Sequence, residues 1–129
     1  MGGFARYEGD RCYKAVPEGS RIPGNPWFVC TLWLAQWYIR KARPPDELEP
    51  AAALIRWAAS RALPNGLMSE QIRPFTDEPL SACPLTWSHS TFVLAVHGYM
   101  TKCRELPCGP QNDFLERSES NLQLAEISS

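Results

Sequence analysis

The apolar positions of this chain gather into three helix-length segments separated by stretches rich in proline and glycine. In the first, from Trp27 to Ala42, nearly every position is apolar, with Trp27, Phe28, Val29, Leu32, Trp33, Leu34, Trp37, Tyr38 and Ile39 spread around the whole cylinder. A helix apolar on all sides belongs inside a larger assembly. Asn25 and Pro26 read as its N-cap and first helical residue. Arg40, Lys41 and Arg43 suit the negative end of its dipole, and Pro44-Pro45 stops it.

The second segment runs from Glu49 to Leu63 and sets Leu54, Ile55, Trp57, Ala58 and Ala62 on one side against Glu49, Arg56 and Ser60. That pattern predicts a half-exposed helix of an outer layer. Pro64-Asn65-Gly66 ends it, and a turn-rich loop with Pro74, Asp77 and Pro79 leads to Pro84. The third segment, Leu85 to about Arg104, carries Phe92, Val93, Leu94, Ala95, Val96, Tyr99 and Met100, and predicts a second buried helix. Residues 1–25 lack periodicity and read as an irregular loop. Past Pro107-Cys108-Gly109-Pro110 the composition turns polar, which divides the chain into a folded part, 1–104, and a polar tail, 105–129.

The expected class is therefore all-α. Antiparallel connection of successive helices makes the first and third parallel, so the loops entering both lie at one end of the bundle. The Arg6 to Asp10 loop and the Glu70 loop should converge there, opposite the Arg43 to Asp46 connection. One amphipathic helix cannot cover two helices that are apolar all round. The chain is expected to expose a contiguous apolar surface and to self-associate through it.

Composition narrows the function classes. The chain has 129 residues, 44% hydrophobic and 21% charged, which suits one globular domain. A net charge of −1 provides no electrostatic footprint for nucleic acid, which is excluded as a partner. The longest apolar segment, Trp27 to Ile39, falls short of the roughly 20 residues needed to cross a bilayer, so no membrane association is expected. The start shows no export signal, and Arg6 stands where a myristoylation signal needs Ser or Thr, so a cytoplasmic location is expected. The five cysteines, Cys12, Cys30, Cys83, Cys103 and Cys108, are odd in number and form no C-x-x-C pair. Cys30 and Cys83 read as small buried hydrophobes, and Trp33, Trp37 and Trp57 as core. His89 and His97 sit two turns apart, too far for joint chelation. Neither metal nor other cofactor is indicated.

Chemistry concentrates between Asn65 and Ser88. A lone loop carboxylate, Glu70, stands beside an amide, Gln71, with Trp87 at the start of the next apolar segment. Carbohydrate chemistry uses such an inventory: a carboxylate to handle water, planar groups for hydroxyls, and an aromatic face for the C–H side of a pyranose. From composition alone Glu70 is a solvated glutamate, Arg6 and Asp10 a surface ion pair, and Trp27 and Trp87 helix-start core residues.

Four segments change that balance: Ala5-Arg6-Tyr7-Glu8-Gly9-Asp10, Gly24-Asn25-Pro26-Trp27-Phe28, Gly66-Leu67-Met68-Ser69-Glu70-Gln71 and Pro84-Leu85-Thr86-Trp87-Ser88. Together they resemble the glucoamylase family, glycoside hydrolase family fifteen. The resemblance covers nearly all of residues 4–103, but only the C-terminal end of that family's catalytic domain. It implies a partial α/α toroid, the last one and a half hairpins of a six-hairpin barrel. The implied activity is inverting, exo-acting hydrolysis of terminal α-linked glucose from glucans.

On that resemblance Glu70 is the general base and Ser81 supplies the hydroxyl that supports it. Arg6, Asp10, Trp27, Gln71 and Trp87 contact an α-glucan or oligosaccharide. The family's general acid lies upstream of anything matching here, leaving Glu8, Asp10, Asp77 and Glu78 as local alternatives. Cys12 departs from the family's aromatic at that corner, which removes a wall or a hydroxyl. A non-catalytic carbohydrate-binding or interaction module, or an inactive truncated product, is the rival expectation.

Overall fold

The computed structural model describes residues 2–15, 19 and 21–106. Three helices dominate: α1, Phe28–Lys41; α2, Glu49–Ala59, entered through a 3₁₀ turn at Pro45–Leu48; and α3, Thr86–Glu105. Between α2 and α3 a pair of two-residue strands, β1 (Gln71–Ile72) and β2 (Pro79–Leu80), pairs antiparallel with Gln71 opposite Leu80 and Ile72 opposite Pro79. The fold is all-α in content. Apart from Glu105 and Leu106, the expected polar tail, with Cys108, lies outside the described residues.

α1 packs against both α2 and α3. One core cluster joins Phe28 and Leu32 of α1, Trp57 and Ala58 of α2, Ala95 of α3, and Met68 and Ile72 of the connecting loop. A second, toward the other end, joins Ile39, Ala42, Leu48 and Ala51. Burying one such Phe, Leu, Met or Ile side chain contributes about 1.5–3 kcal/mol, so Met68 and Ile72 anchor the connecting segment to the bundle. Trp57 lies against the backbone of Gly2 and Gly3. A Cβ at Gly3, whose φ is +100°, would stand 2.3 Å from the Trp57 ring.

Several expectations change. α1 begins at Phe28, and its cap position is Trp27, in extended conformation and without a side-chain cap. The reason is pairing: Trp27 forms antiparallel bridges to Phe4 and to Gln71. Asn25 does not cap the helix; it is buried in a hydrogen-bond cluster. α2 ends at Ala59 and gives way to turns before Leu63.

Helices α1 and α3 are not buried all round. Trp33 and Trp37 are half-exposed rather than core, as are Val93, Leu94 and Met100 on α3. Among the described residues α2 and α3 are the main packing neighbours of α1 and do not surround it, so apolar positions remain that face outward, as the excess of apolar surface implied. Trp57 alone of the three tryptophans assigned to the core is buried. Cys83 is exposed and Cys30 only partly buried, because neither faces the core clusters.

Candidate carbohydrate site

The segment Met68–Ile72 threads between the starts of α1 and α3, and main-chain bonds fasten it on each side. Ile72 N–H donates to Pro26 O at 2.9 Å, Phe28 N–H to Glu70 O at 3.3 Å, Glu70 N–H to Ala82 O at 2.8 Å, and Leu85 N–H to Met68 O at 2.9 Å. Side chains of α3 complete the fastening. His89 Nε2 accepts Met68 N–H at 3.0 Å, and Ser88 Oγ donates to Ser69 O at 2.8 Å. His89 is thereby a structural acceptor, with its proton on Nδ1.

Glu70 is thus carried on a braced loop. Its Oε2 accepts from Ser81 Oγ at 2.5 Å and from Gln71 Nε2 at 3.3 Å. Ser81 reaches it from a left-handed backbone conformation, φ +67°, which a residue with a Cβ adopts at a cost.

The other loop arrives from the N-terminus. Phe4 O accepts Trp27 N–H at 2.9 Å and Gly9 N–H donates to Pro23 O at 2.8 Å, so Arg6 and Asp10 are held beside the start of α1. Arg6 grips Asp10 with two hydrogen bonds, Nε to Oδ2 and Nη2 to Oδ1, each 2.8 Å. Asp10 also accepts Cys12 N–H at 3.0 Å. The Arg6 guanidinium pulls the buried Asp10 carboxyl down to about 2, against a desolvation effect in the opposite sense. Arg6 is raised in turn by its bond to Asp10. Its guanidinium lies 4.3 Å from the ring centroid of Trp27, a cation–π stack.

The two loops converge on one open pocket of about 470 Å³, lined by Arg6, Trp27, Val29, Cys30, Trp33, Glu70 and Trp87. Trp33 meets Trp87 edge to face at 5.6 Å. Burial raises the Cys30 thiol, so the pocket wall there is a neutral, protonated group. Glu70 is the one carboxylate among the described lining residues.

Of the sequence-derived candidates, Arg6, Trp27, Glu70 and Trp87 line this pocket and Ser81 touches Glu70. Asp10 stands behind Arg6 and engages it rather than the pocket. Gln71 is neither an exposed amide nor a lining group: it is fully buried, bonded to Asn25 and Glu70. The alternative acids do not line the pocket either. Asp77 pairs with Arg61 at 2.9 Å, Glu78 bonds Thr76 at 3.0 Å, and Glu8 is exposed.

Cys30 and Trp33 were absent from the sequence-derived site. Cys30 and Trp33 are three apart within α1 and so lie on neighbouring positions of one helix face, a spacing the sequence does carry. Among the described residues no group of three side chains could hold a metal ion, and no helix is long and apolar enough to cross a membrane.

Comparison with known proteins adds one relationship. The chain is 34% identical over 105 residues to an uncharacterized glycosyl hydrolase of Methanocaldococcus jannaschii, a match that covers 75% of this chain and 16% of that protein. The chain thus spans about a sixth of its relative's length. No protein-family model matches the chain, and no solved structure does.

Proposed function

We propose that this chain is the base-bearing, C-terminal part of a glucoamylase-like catalytic domain that hydrolyses terminal α-linked glucose from glucans with inversion. The observation that carries the reading is Glu70 itself: a carboxylate held by the Ser81 hydroxyl at 2.5 Å on the wall of an open pocket that exposes Trp33 and Trp87, with Trp27 buried in its lining beneath Arg6. A base that activates water needs a fixed carboxylate with one oxygen turned to the attacking molecule. Here both donors engage Oε2, which leaves Oε1 for that water. The aromatic faces and the Arg6 guanidinium suit the apolar and hydroxyl edges of a pyranose.

In this mechanism Glu70 takes the water's proton as its oxygen attacks the anomeric carbon from the face opposite the leaving group. A second carboxylic acid protonates the departing oxygen, standing about 6.5–9.5 Å from the base. That acid comes from the remainder of a longer domain, and the relative's much greater length supports such a remainder. The half-exposed apolar residues of α1 and α3 are then the surfaces on which further helices of a toroid pack. No cofactor takes part.

A second reading draws on the single carboxylate of the pocket: a non-catalytic module that binds saccharide between its tryptophans. One experiment separates the two. The chain is grafted in place of the matching sixth of the Methanocaldococcus relative, and glucose release from maltose and soluble starch is followed with detection of the anomer. The catalytic reading expects β-glucose and its near-total loss on Glu70→Gln with oligosaccharide binding retained. The isolated chain, lacking an acid, should be slower by on the order of 10² to 10⁴. A graft that binds oligosaccharide but turns over equally well with and without Glu70→Gln removes Glu70 from the chemistry.

A further inference from the structure

Asn25 precedes α1, is 1% exposed, and has both ends of its amide committed. Its Oδ1 accepts Ala15 N–H at 3.0 Å. Its Nδ2 donates to Tyr13 O at 2.9 Å, to Cys12 O at 3.2 Å and to Gln71 Oε1 at 2.9 Å. Two protons serve three acceptors, so one of them is shared.

The main chain therefore decides which end of Asn25 is nitrogen. A carbonyl can only accept and an N–H can only donate, so the amide cannot be turned over without three mismatches. Only a donor then faces Gln71, whose oxygen must point to Asn25. Its Nε2 is left to face Glu70 Oε2 at 3.3 Å and Cys12 Sγ at 3.7 Å. Gln71 is fully buried, so water does not offer it an alternative partner.

We propose that Asn25 is a positioning residue: it sets the amide polarity of Gln71 and thereby guarantees a hydrogen-bond donor, rather than a lone pair, at the Glu70 carboxylate. Its functional meaning rests on the reading of Glu70 as the base. The chain of command runs from the Cys12–Ala15 main chain through Asn25 and Gln71 to Glu70, linking the N-terminal loop to the candidate base. Were Gln71 turned over, its carbonyl oxygen would oppose the carboxylate and drive Glu70 off the Ser81 hydroxyl.

The test reads the Gln71 amide directly by nitrogen-15 NMR of the full chain, assigned by comparison with Gln71→Met. The expected result is exchange with solvent slower than that of a free glutamine amide by about tenfold or more, as a fully buried, hydrogen-bonded amide requires. Its signals should also move when acid titrates the carboxylates, and that response should vanish in Glu70→Gln. Asn25→Asp presents oxygen in place of Nδ2, so Gln71 should turn its nitrogen toward position 25 and lose the response to Glu70.

A folded Asn25→Asp variant with unchanged Gln71 signals and acid response overturns the proposal. So does an unsubstituted chain whose Gln71 amide exchanges as fast as free glutamine, a result that stands even if the variant does not fold. Neither outcome depends on saccharide hydrolysis, so failure here is separable from failure of the catalytic reading.

Discussion

Replacing Asp10 by Asn tests how the N-terminal loop is held at the pocket. In the folded chain Asp10 is 1% exposed, grips Arg6 through two bonds of 2.8 Å and accepts Cys12 N–H. Arg6 holds its carboxyl at about 2 in place of the ordinary 3.8. Because the folded value is the lower one, the stabilisation is fully present above about pH 5, where the carboxylate is ionised in both states. As pH falls the unfolded chain takes up the proton first, and the advantage is lost as pH approaches about 2. The gap corresponds to roughly 2 kcal/mol, which the partly exposed flank of Arg6 reduces to roughly 1–2 kcal/mol. Asp10→Asn should therefore lower stability by about 1–2 kcal/mol near neutral pH, within the usual range for a lost charged hydrogen bond.

The assay is urea unfolding of parent and variant, followed by far-ultraviolet circular dichroism at several pH values from about 6 down to about 2. Taking the difference between the two chains cancels the general effect of acid on all other groups. The deficit of the variant should shrink steadily below about pH 5. A deficit that stays constant over that range, or a variant as stable as the parent near neutrality, refutes the reasoning that the Arg6–Asp10 pair braces the loop.

Other consequences are equally specific. Ser81→Gly suits the left-handed backbone at φ +67° and should hold or raise stability by up to about 1 kcal/mol, yet lower turnover of the grafted enzyme by about tenfold through loss of the hydroxyl at Glu70; thermal unfolding and initial rates check the two halves. Gly3→Ala puts a methyl 2.3 Å from the Trp57 ring at a φ of +100° and should cost about 1–3 kcal/mol, read from the urea midpoint. The half-exposed Trp33, Trp37, Val93, Leu94 and Met100 predict hydrophobic-dye binding and concentration-dependent self-association of the isolated chain, which sedimentation should show weakening in a Val93→Lys, Leu94→Lys double variant.

The three helices were legible because their apolar segments are long and bounded by proline and glycine, and propensity acts over a whole segment. Glu70, Trp27 and Trp87 stood out through the short segments they occupy and Ser81 only through the resemblance those segments carry, and the convergence of the two loops followed from antiparallel connection alone. What the sequence could not show was the use of each polar group, since hydrogen bonds between residues distant along the chain leave no periodic trace. Asn25, placed before a proline and an apolar run, reads as a helix cap, but the bridges from Trp27 to Phe4 and Gln71 keep that stretch extended and free its amide for Gln71. Trp33, Trp37 and Trp57 look alike as letters in apolar segments. Only the packing decides that Trp57 meets Gly3 and the core while Trp33 turns toward Trp87 and the pocket. Local pattern determines which residues form a helix, because the hydrogen bonds of a helix are local. Which face of that helix is covered depends on how many neighbours the rest of the chain brings to it, and here α2 and α3 are too few to cover α1.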